Sequence, residues 1–148
     1  MPERKYEKHV LPAPLMRVQS DGKNAPGYNF VSFYAHKGEM NTDFTLALHY
    51  MTEPYTEVYP HTHEGHEVLC FIGGNPENFN DFDAEIELML GEEGESYVID
   101  SPSVFSLPPG LVHGPLTFKK VNKPVFFLEV TSIPKGKYVI KPEDEKDK

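Results

Sequence analysis

Between Tyr59 and Gly74 the chain reads YPHTHEGHEVLCFIGG, and no other stretch limits the fold so tightly. Three histidines and two glutamates fall within the seven residues from His61 to Glu67, and an apolar run follows at once. His61 and His63 are two residues apart. In an extended chain residues i and i+2 point to one face, so both imidazoles can reach one point in space. A helical metal pair is spaced by three or four residues, so this spacing speaks for a strand. If Glu64 and Gly65 make a turn, Glu67 opens the next strand and faces the same interior. A second stretch, LPPGLVH from Leu107 to His113, adds a distant histidine after a Pro-Pro-Gly turn.

His61, His63, Glu67 and His113 are therefore the candidate metal ligands. Three imidazoles and one carboxylate leave two positions of an octahedral ion to water, substrate or dioxygen. Such a donor set suits a divalent transition metal: Fe, Mn, Ni, Co or Zn. His66 has the opposite parity to Glu67 and is read as outward-facing. Tyr59 shares the parity of His61 and His63 and so borders the same interior. It is the candidate catalytic residue, as a general acid or as a hydrogen-bond donor to substrate; the alternative is a pocket wall.

The two stretches resemble the paired motifs of the cupin superfamily. His61-Thr62-His63, three residues, Glu67, six residues and Gly74 match the first motif, G-x5-H-x-H-x3,4-E-x6-G. Pro108-Pro109-Gly110, two residues and His113 match the second, G-x5-P-x-G-x2-H-x3-N. Tyr55 and Pro102 stand where the leading glycines belong, and Thr117 where the final Asn belongs. These departures fall on turn positions, not on ligands. The resemblance runs from about Phe44 to Thr131. It implies an all-β, single-domain cupin-type jelly-roll β-barrel with a metal at its mouth. It also implies a metal-dependent enzyme acting on a small oxygenated organic substrate, in first place a mononuclear non-haem dioxygenase. Isomerase, lyase or cyclase chemistry is the alternative within that class. A non-catalytic small-molecule or metal-binding protein is the alternative from another class.

The 148 residues suffice for one domain with a sizeable core. A formal charge of −9 argues against nucleic-acid and anionic-membrane partners. Cys70 is the single cysteine, so no internal disulfide framework exists. The N-terminal residues lack the apolar core of a secretory signal, and no apolar run approaches membrane-spanning length. A soluble cytoplasmic protein is the expectation.

The 14 prolines and 11 glycines suit short strands joined by turns. Residues 1–27 read as an N-terminal arm, 28–140 as the barrel, and 141–148 as a charged disordered tail. Strands are expected over Asn29–Ala35, Phe44–Thr52, Glu57–His63, Glu67–Gly74, Ser96–Asp100, Val104–Leu107, Leu116–Lys120 and Pro124–Ser132. Asp83–Leu90 has helix-forming residues, but its period of two assigns it to a strand closed by Gly91 and Gly94. In Glu67–Gly74 the inward face carries Glu67, Leu69 and Phe71, and the outward face Val68, Cys70 and Ile72. A strand apolar on both faces needs two covers. The barrel is one; a second subunit, giving a homodimer, is the expected other, with the N-terminal arm as its rival. The polar loop from Asn75 to Phe82 reads as a solvated excursion, with a lid as the alternative. Aromatic pocket walls are expected from Tyr59, Phe71, Phe105 and Phe127. Glu129 is a candidate interior acid–base group.

Overall fold

The apolar alternation that marks Glu67–Gly73 as a strand places it near the middle of a five-stranded antiparallel sheet in the computed structural model, which describes residues 4–10, 31–35 and 43–132. The strands are β1 (Val31–Ala35), β2 (Phe44–Met51), β3 (Tyr55–Glu57), β4 (Glu67–Gly73), β5 (Ala84–Leu90), β6 (Glu95–Ile99), β7 (Ser103–Leu107), β8 (His113–Val121) and β9 (Val125–Ser132). One sheet has the order β1-β2-β9-β4-β7 and the other β3-β8-β5-β6. All pairings are antiparallel. Two such sheets with crossing connections form a jelly roll, as the motifs imply. A 3-10 turn at Glu7–His9 is the one helical element among the described residues. No helix among them is long and apolar enough to cross a membrane. Apart from residues 4–10, the expected arm lies outside the described residues, as does the charged tail.

The core lies between the sheets. Leu69 and Phe71 of β4, Ile86 and Leu88 of β5, Phe118 of β8 and Val125 and Phe127 of β9 are all buried. Phe71 and Phe127 stack at 4.7 Å with ring planes 4° apart. Each fully buried side chain of this size stabilises by roughly 1.5–3 kcal/mol, so this layer anchors both sheets. Val68, Cys70 and Ile72 face outward as expected, with Val68 exposed. Asp83–Leu90 resolves to strand: β5 pairs with both β6 and β8, because tertiary pairing outweighs its helix propensity.

Two expectations need correction. Glu57–His63 is not one strand. β3 ends at Glu57, residues 58–60 are irregular, and His61 makes only an isolated bridge to His113. Pro60, with no N–H to donate, stands in the gap. Phe71 and Phe105 are not pocket walls. They pack edge-to-face at 6.1 Å, while Tyr59 and Phe127 line the cavity as expected, joined by Phe118.

The Asn75–Phe82 loop folds back on the barrel. Phe79 accepts a bond from the Gly73 amide at 2.9 Å, and Asp81 takes one from Lys123 at 2.7 Å. None of its residues lines the cavity.

Candidate metal centre

The four expected ligands arrive from three places in the chain and converge. Glu67 is the first residue of β4 and His113 the first of β8. His61 is carried by its bridge to His113, and His63 by the turn at residues 64–65. That turn is seated on the end of β9. The Ser132 amide donates to the His66 carbonyl at 2.8 Å, and the His66 amide to Ser132 Oγ at 2.9 Å. Gly65 makes the approach possible: a Cβ there would lie 1.7 Å from the Ser132 carbonyl oxygen. The Gly110 amide donates to the His63 carbonyl at 2.9 Å, which ties the Pro-Pro-Gly turn to the histidine pair. Gly114 follows His113 at φ +94, where a Cβ would meet the Tyr59 carbonyl oxygen at 2.8 Å.

Ring orientation is fixed by the same backbone. His61 Nδ1 lies 2.9 Å from the Tyr59 carbonyl, and His113 Nδ1 lies 2.9 Å from the Leu111 carbonyl. Each Nδ1–H donates to a carbonyl two residues back, so Nε2 becomes the lone-pair nitrogen in both rings. Thr131 Oγ1 donates to Glu67 Oε1 at 3.0 Å, which turns Oε2 toward the imidazoles. Glu67 Oε2 is 2.8 Å from His113 Nε2 and 3.4 Å from His63 Nε2.

These contacts are close but poorly directed. His63 Nε2, Glu67 Oε2 and His113 Nε2 are all buried without a hydrogen-bond partner. Buried polar atoms left so are costly, and they demand an explanation. Here they aim at a common point rather than along one another's lone pairs. One ligand atom from each of His61, His63, Glu67 and His113 lies within 4.8 Å of the other three. Ligands about 2.1 Å from an ion stand roughly 3–4 Å apart, so the widest pair must close by about 1 Å to seat a cation. His66 is exposed and lies outside the cluster, consistent with its outward reading.

The electrostatics favour a positive charge at that point. Burial alone would raise the pKa of Glu67. The adjacent imidazoles of His113 and His63 outweigh it and hold the carboxyl at about 2. For His113, burial pulls the pKa down, but the Glu67 carboxylate and the Leu111 carbonyl raise it above its ordinary value. Both shifts favour positive charge beside Glu67, the place a cation would take.

The cluster opens onto a cavity of about 450 Å³. Met51, Leu116, Phe118 and Phe127 form its apolar wall. Tyr59 also lines it and is 61% exposed, so it stands at the solvent edge. Glu129 faces the interior, where its Oε2 lies 3.1 Å from Nε2 of the buried His49. Two cavity groups escaped the sequence reading. His49 lies on the less apolar face of β2, which turns out to be the inner one, with Ala47, His49 and Met51 buried. Glu57 was assigned only to a strand. It lines the cavity, and its pKa is pushed up to about 7 by burial, then by the Glu129 and Glu67 carboxylates. The strict alternation of β2 was the available signal for His49, and the strand parity Glu57 shares with Tyr59 and His61 was the one for Glu57.

No family model and no curated protein sequence matches this chain. Solved structures do. A cupin superfamily protein from Desulfitobacterium hafniense superposes with a TM-score of 0.51 at 12% identity, covering 84% of this chain and 95% of that one. An RmlC-like cupin from Shewanella frigidimarina gives 0.50 at 14% identity, covering 78% and 86%. Two antiparallel sheets in jelly-roll order, both motif stretches meeting at one cluster, and these superpositions agree: this chain has the cupin fold.

Proposed function

We propose that this chain is a metal-dependent enzyme acting on a small oxygenated organic molecule, with mononuclear non-haem dioxygenase chemistry as the leading form. One observation carries the reading: three of the four converging ligands, His61, His63 and Glu67, line an open cavity rather than a sealed pocket, with His113 in the narrower space beside it. Structural ions are closed in by protein ligands, whereas catalytic ions keep a position open to substrate. When bound, a divalent metal there supplies Lewis acidity, and iron adds reactivity toward dioxygen. The dioxygenase form is supported by the donor count, since an N3O set leaves two positions on an octahedral ion.

The chain's own residues divide the remaining work. His61, His63, Glu67 and His113 would hold the ion. The carbonyls of Tyr59 and Leu111 and the hydroxyl of Thr131 keep the ligand atoms aimed. Met51, Leu116, Phe118 and Phe127 exclude water from the substrate space. The Tyr59 hydroxyl, at the solvent edge, is the proposed proton donor to substrate.

Anaerobic loading with Fe(II), followed by oxygen-uptake measurements with diketones, catechols and thiols, tests this. Metal-dependent uptake that disappears in His113→Ala is the expected result. Turnover without oxygen consumption would favour isomerase, lyase or cyclase chemistry. A bound metal with no turnover would favour a binding protein.

A further inference from the structure

The cavity is one-sided in charge. Glu57, Glu67 and Glu129 line it, and among the described residues lining it there is no Lys or Arg. Glu67 belongs to the metal cluster; the other two carboxyls do not. Glu57 ends β3, opposite Leu116 of β8, while Glu129 lies on β9, opposite Ala47 of β2. They therefore approach from different sheets. Both also border the narrower space beside His61, Glu67 and His113. A molecule anchored at the ligand cluster therefore meets them with the groups beside its metal-binding head.

Ionised carboxylates only accept hydrogen bonds, and withdrawing them from water without a donor is costly, a state that Glu57, held at about 7, reaches above neutral pH. Glu129 is served by His49. Glu57 faces the Glu129 and Glu67 carboxylates, with His113 and His49 as the nearest opposing imidazoles. A second anion brought between Glu57 and Glu129 would add repulsion in a poorly screened space. A hydroxyl or ammonium brought there would satisfy both.

We propose that the cavity selects oxygenated molecules that carry, beside the metal-binding group, a hydrogen-bond donor, a hydroxyl or an ammonium, and that Glu57 and Glu129 receive it. Molecules with carboxylate or phosphate there are rejected. This rests on the four-residue cluster being the metal centre of an enzyme, and takes that reading on to substrate class.

The test separates the two readings. Zinc-loaded protein is titrated calorimetrically with four short hydroxamates that share a metal-binding head and end in methyl, hydroxymethyl, aminomethyl or carboxylate. The hydroxyl- or ammonium-ended probe is expected to bind at least about ten-fold tighter than the carboxylate-ended one. The stronger of the two identifies the donor. Glu57→Gln should shrink that ratio to about three-fold or less while leaving the methyl-ended probe unchanged; Glu129→Gln serves if Glu57→Gln does not fold. Equal or tighter binding of the carboxylate-ended probe, or a ratio unmoved by either variant, would overturn the subsite alone. Failure of the methyl-ended probe to bind would overturn the metal centre, and the subsite with it.

Discussion

His61 and His113 are joined through both of their peptide units. The His61 amide donates to the His113 carbonyl at 2.9 Å, and the His113 amide returns the bond at 3.0 Å. This exchange brings their ring centroids to 4.2 Å although 51 intervening residues separate them in the chain. The pairing is made by backbone, so it survives loss of either side chain. His61→Ala and His113→Ala are expected to fold yet lose metal affinity by more than about 100-fold, beyond what a supporting partner costs. Elemental analysis and circular dichroism check this. Wild-type metal content in both variants would defeat the ligand assignment.

The ligands were legible because their spacing is chemical: two imidazoles two apart, a carboxylate after a turn, and a histidine after Pro-Pro-Gly. What carries them was less so. Parity assumed a strand from Glu57 to His63, but Pro60 interrupts it, and His61 is placed by a bridge to a partner far along the chain. The cavity was harder still. Hydrophobicity alone would turn Leu46, Leu48 and Tyr50 inward, yet β2 buries Ala47, His49 and Met51. A face that lines a binding space is chosen for what it binds, so its polarity hides it from a reading that equates apolar with inside. Glu57 was passed over for the same reason, although it shares the strand parity of Tyr59 and His61.

Glu57 and Glu67 give the metal-free protein opposite pH dependences. Glu67, at about 2 in the fold against an ordinary 4.5, contributes stability that is present above pH 4.5 and lost as pH falls toward 2. Glu57, at about 7, carries no ionisation penalty below pH 4.5, and the penalty grows as pH rises from 4.5 to 7. His113, raised from 6.5, adds stability below that pH and loses it as pH rises through its folded value. Chelator-treated protein should therefore lose thermal stability from pH 5 to 7.5. Glu57→Gln should recover part of the loss, up to about 3 kcal/mol. Parallel melting profiles for the two proteins would contradict the placement of Glu57.

Gly65 sits where a single added carbon would enter the Ser132 backbone. Neither the turn nor β9 can yield without breaking the His66–Ser132 bonds. Gly65→Ala is expected to cost about 3 kcal/mol or more. Because the turn carries His63 and Glu67, metal affinity should fall too. Urea unfolding with and without chelator separates the two effects; an alanine variant as stable as wild type would show that the contact gives way easily.

The outer face of the five-stranded sheet carries Phe44, Val68 and Val104, exposed by 48, 37 and 67%. A homodimer covering this face is the proposed assembly, since apolar groups on one sheet face gain by leaving water together. Light scattering at micromolar concentration should return twice the 16.8 kDa chain mass, and Val104→Lys should shift it toward the monomer. A monomeric wild type would count against the proposal.

Tyr59 offers two groups with separable roles. Its carbonyl holds His61 Nδ1, while its side chain is largely solvent-exposed at the cavity edge. Tyr59→Phe removes only the hydroxyl, so the carbonyl contact and the metal should both be kept. If the phenol donates a proton to substrate, kcat should drop about 100-fold, in the range of a lost general acid, with KM little changed. Retained metal with full turnover would make Tyr59 a wall, and lost metal would mean that the hydroxyl, and not the carbonyl alone, supports the ligand cluster. The two readouts together decide which part of the residue the site depends on.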